Sequence, residues 1–278
     1  MNVKKVLFIT QEIIPYVPET PMSIEGRQLT QSIQESGREI RTFLPQWGCI
    51  NERRNQLHEV IRLSGMNIII DGNDHPLIIK VASIQAARMQ VYFIDNDDYF
   101  DKRGMTYDEN GEEYANNAER AIFYARGVLE TVKKLRWRPD IVYCQGWISS
   151  IVPLHIKTIF KEDPSFADTR VVLELSDQTL KKQLPENFKS CLILKNVTKS
   201  LLKKQELDFV EADDLTKLAL NFSDAVVLST PVVNENLLNH AKQKGLPILP
   251  FSEEKDYGKR YGEFFESLIP STGQEPSE

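Results

Sequence analysis

The sequence predicts an α/β fold built around a doubly wound parallel sheet. Continuous apolar runs of strand length alternate along the chain with segments whose apolar residues recur every three or four positions. The runs at 6–10, 141–144 and 225–228 show no alternation of polar and apolar residues, which is typical of strands buried on both faces. Strands that alternate with helices in this way form βαβ units, and such units assemble into a parallel sheet.

The composition is that of a globular protein. The 278 residues include 34 Lys and Arg against 40 Asp and Glu, a net charge of −6, and 41% are hydrophobic. A negative chain without a basic stripe has no general attraction to phosphate backbones, so we expect no nucleic-acid partner. The longest apolar runs fall far short of the roughly 20 residues that span a bilayer, and none resembles a signal peptide. We therefore expect no membrane association and a cytoplasmic location.

The cysteines and histidines indicate no metal or disulfide chemistry. Cys49, Cys144 and Cys191 are odd in number and far apart, and the four His residues have no metal-ligand spacing. The sequence thus predicts neither a disulfide framework nor a metal site, and we expect no cofactor.

The amino-terminal segment predicts a strand, a loop, a helix and a second strand. The run 6–10 is followed by a proline-rich loop, and a helix then begins near Ser23 and ends near Gly37. The next strand covers 38–44. This order opens a doubly wound sheet.

The pattern of apolar and turn-forming residues changes in the middle of the chain. Between residues 58 and 95, short apolar runs are separated by turn residues, among them Asp71-Gly72, and this pattern predicts an inserted antiparallel meander. The clearest helix follows at 117–135, with Asn116 or Asn117 as its cap.

The remaining elements continue the alternation up to a terminal helix. The order of helices and strands within residues 178–207 is not predictable from the sequence pattern of that segment. The terminal segment 253–269 is amphipathic, with Tyr257, Tyr261, Phe264, Phe265 and Leu268 along one side. The other predicted elements are helix 148–160, strand 170–175, helix 213–222, strand 225–228 and helix 232–244.

Ligands of open α/β sheets bind beyond the carboxyl ends of the strands, which makes the first loop the place for a phosphate cradle. A cradle needs glycine N–H groups and usually a cation. The loop 11–23 has neither Gly nor Lys, and it carries three prolines together with Glu12 and Glu19. Phosphate binding at this loop is therefore not expected.

Other residues at the strand ends leave alternatives open. Trp147 is either a stacking platform or an apolar plug, and Tyr99 and Phe100 either offer flat faces to a sugar or pack under the meander. The carboxylates in the loop after residue 94 are of a type that binds cations, but the EF-hand order of ligands and glycine is absent, so the pattern favours a solvated turn over a cation site. Ser229-Thr230-Pro231 has no adjacent His and fits a helix cap followed by a first-turn proline.

Several segments, in this order, resemble the bacterial glycogen/starch synthases over about residues 1–245. That family transfers glucose from ADP-glucose to the non-reducing end of an α-1,4-glucan, with retention, between two Rossmann-like domains of a GT-B fold. The resemblance implies the amino-terminal half of that fold. The segments are Val6–Tyr16, Gly37–Pro45, Val91–Gly104, Tyr114–Arg120, Trp137–Trp147 and Ser223–Pro231.

The resemblance also implies which positions are retained and which are altered. Retained candidates for the glucan-acceptor side are Glu12, Tyr99, Asn117, Arg120 and Trp147.

Three family motifs are altered in this chain. The family's Lys-Thr-Gly-Gly-Leu-Ala-Asp corresponds to Pro18–Ile24, its His-Asp-Trp to Gln145-Gly146-Trp147, and its Ile-His-Asn to Leu175-Ser176-Asp177. The altered positions are Pro18, Thr20, Pro21, Ile24, Gln145, Gly146, Ser176 and Asp177.

The family's second domain, which supplies most of the nucleotide-sugar site, has no counterpart between Gly245 and the terminal helix. That helix resembles the family's final helix, which crosses back onto the first domain. The predicted organisation is a synthase-like domain at 1–250, a crossover helix at 251–270 and a tail at 271–278. The alternative is an amphipathic helix without a partner surface.

Three hypotheses about function follow. The first is a module that binds an α-1,4-glucan or a glycogen-metabolism protein and has no transferase activity of its own. The second is an active glucosyltransferase completed by a separate donor-binding chain. The third is a small-molecule sensor that uses the strand-edge loops.

Overall fold

The computed structural model describes residues 2–270, and the predicted tail at 271–278 lies outside them. The strands are β1 (Lys5–Ile9), β2 (Glu39–Pro45), β3 (His58–Glu59), β4 (Met66–Ile70), β5 (Asn73–Ile84), β6 (Met89–Asp95), β7 (Ile141–Cys144), β8 (Arg170–Leu175), β9 (Ala225–Leu228) and β10 (Ile248–Leu249). The helices are α1 (Pro21–Glu35), α2 (Asp97–Phe100), α3 (Asn117–Lys134), α4 (Val152–Thr158), α5 (Phe188–Leu192), α6 (Lys199–Lys203), α7 (Asp213–Asn221), α8 (Glu235–Gln243) and α9 (Tyr257–Ser267).

The strands form one mixed sheet in which the predicted parallel core is confirmed. Its order is β10-β9-β8-β7-β1-β2-β6-β5-β3, with β4 paired to β5. Every pairing from β10 to β6 along this order is parallel. From β1 the chain winds outward in one direction through β2 and β6, and from β7 in the other. The crevice of a doubly wound sheet lies at this reversal, between the ends of β1 and β7.

The antiparallel part differs in its bounds from the meander predicted at 58–95. β6 pairs parallel with β2 on one side and antiparallel with β5 on the other, so it belongs to the main sheet. Residues 60–63, one of the short apolar runs within 58–95, form a turn and not a strand. A short apolar run does not specify the direction of its partner strand, which explains both differences.

Two helices begin at residues that the sequence pattern did not identify. α1 begins at Pro21 with Thr20 as its cap, because proline fits the first helical turn, and not near Ser23. α8 is capped by Asn234, so Ser229-Thr230-Pro231 is not a cap. α3 begins as predicted, but the Asn116 side chain makes no cap bond and instead accepts from Arg103.

The predicted helix 148–160 is divided. Residues Trp147–Ser149 form a 3₁₀ turn, and α4 covers only part of the rest. The segment 178–207, whose order was not predicted, contains α5 and α6. Within residues 2–270, no helix has the length and apolar composition that crossing a bilayer requires.

The terminal helix α9 packs on α1 and on one face of the sheet. Tyr261 and Phe265 are fully buried in a cluster with Phe8 of β1, Leu29 of α1 and Tyr143 of β7. The Tyr261 and Tyr143 ring centroids lie 6.1 Å apart. The amphipathic face read from the sequence therefore has a partner surface.

Polar contacts fix the same helix to the start of the chain. The Glu266 carboxylate accepts the backbone N–H groups of Asn2 at 2.8 Å and Val3 at 3.2 Å. It also forms an ion pair of 3.1 Å with Arg38. These hydrogen bonds and the Arg38 charge hold the pKa of Glu266 below its usual value, against the effect of burial. α9 is thus anchored at its carboxyl-terminal end as well as along its apolar face.

Candidate functional site

A cleft of about 420 Å³ lies at the carboxyl edge of the sheet. The first turns of α1 form one wall, the residues after β8 and β9 form the other, and Phe251, in the segment that leads into α9, closes one side. The carboxyl ends of the strands are where α/β sheets bind ligands, and this cleft lies at the ends of β8 and β9, to one side of the reversal between β1 and β7.

A larger groove lies elsewhere. It measures about 660 Å³ and follows the segment from Glu186 to Asp208, which contains α5 and α6. Three lysines and three carboxylates line it, and no strand end contributes to it. Position in the fold therefore favours the smaller cleft as the functional site.

The amino terminus of α1 is closed by a reciprocal cap between Thr20 and Ser23. The Thr20 hydroxyl accepts the Ser23 backbone N–H at 3.0 Å, and the Ser23 hydroxyl accepts the Thr20 backbone N–H at 2.8 Å. Pro21, the first helical residue, has no N–H to offer. The Thr20 hydroxyl also donates to the Glu12 carboxylate. A negatively charged ligand at this helix end would meet the Glu12 carboxylate, and the Ser23 N–H and Thr20 N–H would already be engaged.

The loops after β1 and β7 pack too closely to admit larger residues. A Cβ on Gly26 would lie 2.5 Å from the carbonyl oxygen of Glu12 and 3.2 Å from Nε2 of Gln145. Gly146 has a φ of +75°, and a Cβ there would lie 2.3 Å from Oε1 of Gln11. The Gln145 side chain is buried and accepts the Glu12 backbone N–H at 3.3 Å. The altered positions Gln145 and Gly146 therefore close this part of the edge.

Two carboxylates that the sequence reasoning missed face the cleft. Glu174 of β8 accepts hydrogen bonds from the Tyr143 hydroxyl at 2.8 Å and the Ser229 hydroxyl at 3.0 Å. Glu25 of α1 accepts one from the Tyr261 hydroxyl at 2.9 Å. The available signal was Glu174 itself, because a charged residue within the apolar run 171–175 of β8 is costly to bury.

Both carboxyl groups resist ionisation. Burial and, to a smaller extent, the negative charge of Glu25 raise the pKa of Glu174, against the hydrogen bonds from Tyr143 and Ser229, which lower it. Burial also raises the pKa of Glu25, against hydrogen bonding from Tyr261 and the charge of Arg260, which lower it.

The cleft offers no cation to an anionic ligand among its described lining residues. Its lining residues, all in the described part of the chain, include Glu25, Glu174 and Asp177 but no Lys, Arg or His. Ser176, Gln178, Ser229 and Thr230 add polar groups that form hydrogen bonds, while Met22, Val232 and Phe251 supply apolar contact. Such a surface suits an uncharged polyhydroxyl compound better than a diphosphate.

The five predicted acceptor-side residues are all covered. Each is at most 4% exposed. The Tyr99 hydroxyl is hydrogen-bonded to His75 at 3.0 Å and also to Glu119, and its ring packs on Phe123. Of the two roles left open for Tyr99 and Phe100, the structure shows packing beneath the antiparallel strands. Glu12 lies in the loop after β1, where its carboxylate accepts the Thr20 hydroxyl. The five residues are Glu12, Tyr99, Asn117, Arg120 and Trp147.

Three of these residues brace the segment 101–116, which lies over the sheet edge. Arg120 donates to the carbonyl oxygens of Met105 at 2.8 Å and Gly104 at 3.0 Å. Asn117 donates to the carbonyl of Thr106 at 3.0 Å, and Trp147 donates from its indole nitrogen to the Thr106 hydroxyl at 3.0 Å. Trp147 is therefore an apolar plug in this structure, not an open stacking platform.

The Arg120 side chain lies in an aromatic cage. Its guanidinium carbon is 4.9 Å from the Trp47 ring centroid and 5.4 Å from that of Phe100. Burial, together with the smaller effect of the Arg103 charge, lowers the pKa of Arg120 to about 9. A cation held in this way is stabilised by ring faces and carbonyl oxygens, and it is not presented to solvent.

Comparison with known proteins identifies the chain's relatives. The model of the family described as the starch synthase catalytic domain matches residues 5–248. A glycogen synthase of Chlorobium limicola is 33% identical over 198 residues, which cover 68% of this chain and 40% of that protein. A glycogen synthase of Chlorobium phaeobacteroides is 30% identical over 234 residues, which cover 81% of this chain and 47% of that protein. The chain therefore spans less than half the length of these relatives.

A solved structure shows the same fold. The catalytic domain of starch synthase IV from Arabidopsis thaliana, bound to ADP and acarbose, matches with a TM-score of 0.67 at 15% identity. The match covers 90% of this chain and 51% of that chain. The sheet described above is thus that of about half of a GT-B catalytic domain, as the resemblance implied.

Proposed function

This chain belongs to the starch synthase catalytic domain family, and from that premise we propose that it is a glucan-binding module that transfers no glucose on its own. A partner protein of glycogen metabolism is the other ligand we consider, and a cytoplasmic location is part of the same proposal. The observation that carries it is that the first loop lacks the family's lysine and glycines, and that the described lining of the cleft contains no cationic residue.

The first loop supports the loss of nucleotide binding. Where the family has a lysine and two glycines, this chain has Pro18, Thr20 and Pro21, and Thr20 and Ser23 cap their own helix. Hydrogen bonds to charged groups contribute about 1.5–3 kcal/mol each. Since about 1.4 kcal/mol changes affinity tenfold, losing two or three of them weakens diphosphate binding by several orders of magnitude.

The cleft supports a neutral ligand. Glucosyl units carry hydroxyl groups that donate to carboxylates and amide oxygens, and their apolar faces pack on rings. The cleft offers Glu25, Asp177 and Gln178 for the first purpose and Phe251 for the second. Its volume of about 420 Å³ falls in the range of about 300–1,000 Å³ that is usual for small-molecule sites. In this proposal Asn117, Arg120 and Trp147 act by holding segment 101–116 in place.

An activity assay tests the proposal. Purified protein incubated with ADP-glucose and maltoheptaose is expected to show no glucosyl transfer above a boiled-protein blank, because the donor's diphosphate has no cation in the described cleft to bind it. Chain elongation of maltoheptaose, followed by radiolabel, is the measurement.

The control guards against a contaminating synthase. If transfer appears, Glu12→Gln is compared with the exposed Glu19→Gln. Transfer that is lost only in the Glu12 variant belongs to this chain and contradicts the proposal.

A second function is favoured by the fraction of each relative that this chain matches. The chain spans 40% to 47% of the two glycogen synthases described above, which is consistent with a donor-binding domain supplied by another chain. That hypothesis predicts transfer only after mixing with such a chain. The same assay with the partner added distinguishes the two functions.

A further inference from the structure

Four titratable side chains are joined in one chain of contacts away from the cleft. The Nδ1 atom of His75, in β5, lies 3.1 Å from a carboxylate oxygen of Asp98, and its Nε2 atom lies 3.0 Å from the Tyr99 hydroxyl. The same hydroxyl donates to the Glu119 carboxylate of α3. Asp98, His75, Tyr99 and Glu119, in this order, form a clasp that joins β5, α2 and α3.

The middle of the clasp is shielded from water. Tyr99 is 2% exposed and His75 is 9% exposed. Their ring centroids lie 4.7 Å apart, and the Tyr99 ring also packs on Phe123. Buried polar atoms need hydrogen-bond partners, and here the members of the clasp supply them to each other.

The three contacts of the clasp require three hydrogen atoms. An ionised carboxylate only accepts, a phenol supplies one hydrogen, and a neutral imidazole supplies one. With these two hydrogens, one contact would place two lone pairs against each other, either between Tyr99 and His75 or between His75 and Asp98. The clasp therefore needs one proton more than a neutral histidine and two carboxylates carry.

The surroundings of the clasp favour this additional proton. The thiol of Cys191, in α5, lies near Tyr99. Burial and the charges of Glu119 and Asp71 raise the pKa of Cys191 to about 11, so this thiol stays neutral. Arg103 reaches α2, but it donates to the backbone carbonyl oxygen of Asp98. Within residues 2–270, no Lys or Arg forms an ion pair with Asp98 or Glu119.

His75 is the member of the clasp best suited to carry the proton. A free histidine binds a proton near pH 6.5, whereas free Asp and Glu do so near pH 4. The imidazolium form donates from both ring nitrogens, which fills the contacts on both sides of the ring. Its positive charge also lies between the carboxylates of Asp98 and Glu119.

We propose that His75 keeps a proton on both ring nitrogens in the folded protein, and that this proton makes the clasp between β5, α2 and α3 dependent on pH. Loss of the proton leaves one of the three contacts without a hydrogen atom. Rising pH therefore weakens the attachment of α2.

The clasp holds one end of segment 101–116. This segment follows α2, and Arg103 ties it back by donating to the carbonyl oxygen of Asp98 at 3.0 Å and to Oδ1 of Asn116 at 3.1 Å. A weakened clasp loosens this end of the segment that covers Trp147. The inference concerns the fold and stands independently of whether the cleft binds a glucan.

The sign of the pH effect follows from linkage. When the clasp opens, His75 meets water and behaves as a free histidine, so above about pH 6.5 the closed form binds more protons than the open form. The stability that the proton gives the closed form is fully present below that pH and is lost as pH rises. For one proton, the opening equilibrium increases by up to about tenfold for each pH unit, until the closed clasp releases the proton.

Long-range ¹H–¹⁵N spectra of the histidine rings at pH 7.5 test the proposal. A free histidine is about nine-tenths neutral at this pH, and the exposed His58 provides a comparison in the same spectrum. We expect both ring nitrogens of His75 to show the chemical shifts of protonated nitrogens. A neutral His75 in the wild-type protein would overturn the proposal.

Two variants show whether the clasp holds the proton. In Glu119→Gln the amide can donate to the Tyr99 oxygen, so Tyr99 can donate to His75 and the third proton is no longer needed. We expect His75 to become neutral at pH 7.5 in this variant. Asp97→Asn removes a charge from an exposed position of α2 outside the clasp, and this matched control should leave His75 protonated on both nitrogens.

Hydrogen exchange between pH 6.5 and 8.5 tests the consequence for the fold. After correction for intrinsic exchange, we expect the opening equilibrium of α2 and segment 101–116 to rise with pH more steeply than that of α7, and Glu119→Gln to remove this difference. Exchange that changes only in parallel with α7, or a His75 that stays doubly protonated in Glu119→Gln, would contradict the proposal. If Glu119→Gln does not fold, the wild-type spectrum and exchange decide. None of these readouts involves glucan or nucleotide, so they are distinct from those of the proposed function.

Discussion

Replacing Phe265 with alanine is expected to lower the free energy of unfolding by about 3–5 kcal/mol, the usual cost of truncating a buried phenylalanine. Phe265 is fully buried between α9, α1 and the sheet, with its ring centroid 6.3 Å from that of Tyr143. The cavity would open at the contact that holds the terminal helix. Urea unfolding followed by circular dichroism measures the change.

Phe264→Ala is the matched control. Phe264 is the adjacent residue of the same helix, but its side chain is only partly buried. Phe264→Ala should therefore lower the free energy of unfolding clearly less than Phe265→Ala does. Equal effects of the two substitutions, or a negligible effect of Phe265→Ala, would show that α9 does not contribute to the stability of the sheet as described.

Replacing Arg120 with alanine is expected to lower the free energy of unfolding by about 3 kcal/mol. The carbonyl oxygens of Met105 and Gly104 would lose their donor, and an unsatisfied polar group costs about 1–3 kcal/mol. The aromatic cage formed by Trp47 and Phe100 would also be left empty. Urea unfolding gives the stability, and hydrogen exchange should show faster exchange across residues 101–116.

Lys102→Ala is the control for that substitution. Lys102 belongs to the same segment, and its side chain is 90% exposed, so we expect a change of less than about 0.5 kcal/mol. An Arg120→Ala protein with unchanged stability but lost glucan affinity would assign Arg120 to direct glucan contact, in place of the bracing role that its burial indicates.

The parallel core was predictable because its strands are buried on both faces. Val6, Val142 and Val226 lie in apolar runs with no alternation, and such runs fit only strands covered by helices on two sides. The start of α1 was not predictable to the residue. Pro21 is equally compatible with a loop and with a first helical turn, and only the mutual hydrogen bonds of Thr20 and Ser23 distinguish them.

The candidate site was predictable in position but not in exposure. Trp147 follows a buried strand in the sequence, and the structure places it at the carboxyl edge. Whether its ring meets solvent depends on segment 101–116, which covers it through Thr106. A local pattern carries no information about such a long-range cover. That Glu25 and Glu174 line the same cleft was missed for the same reason, since the two residues are far apart in the chain.

The structure gives the altered motifs a physical consequence. Pro18, Thr20 and Pro21 stand where the family has its first-loop lysine and glycines, and Thr20 uses its hydroxyl within its own helix cap and toward Glu12. Gln145 and Gly146 fill the adjacent edge by packing against Gln11 and Gly26. A cleft lined by carboxylates remains, and its chemistry suits an uncharged ligand.

Separate calorimetric titrations with maltoheptaose and with ADP-glucose test the central claim most directly. We predict saturable heat with maltoheptaose and none with ADP-glucose, because the cleft retains hydrogen-bonding groups and an apolar wall but has no cation among its described lining residues. Saturable binding of ADP-glucose would contradict the claim.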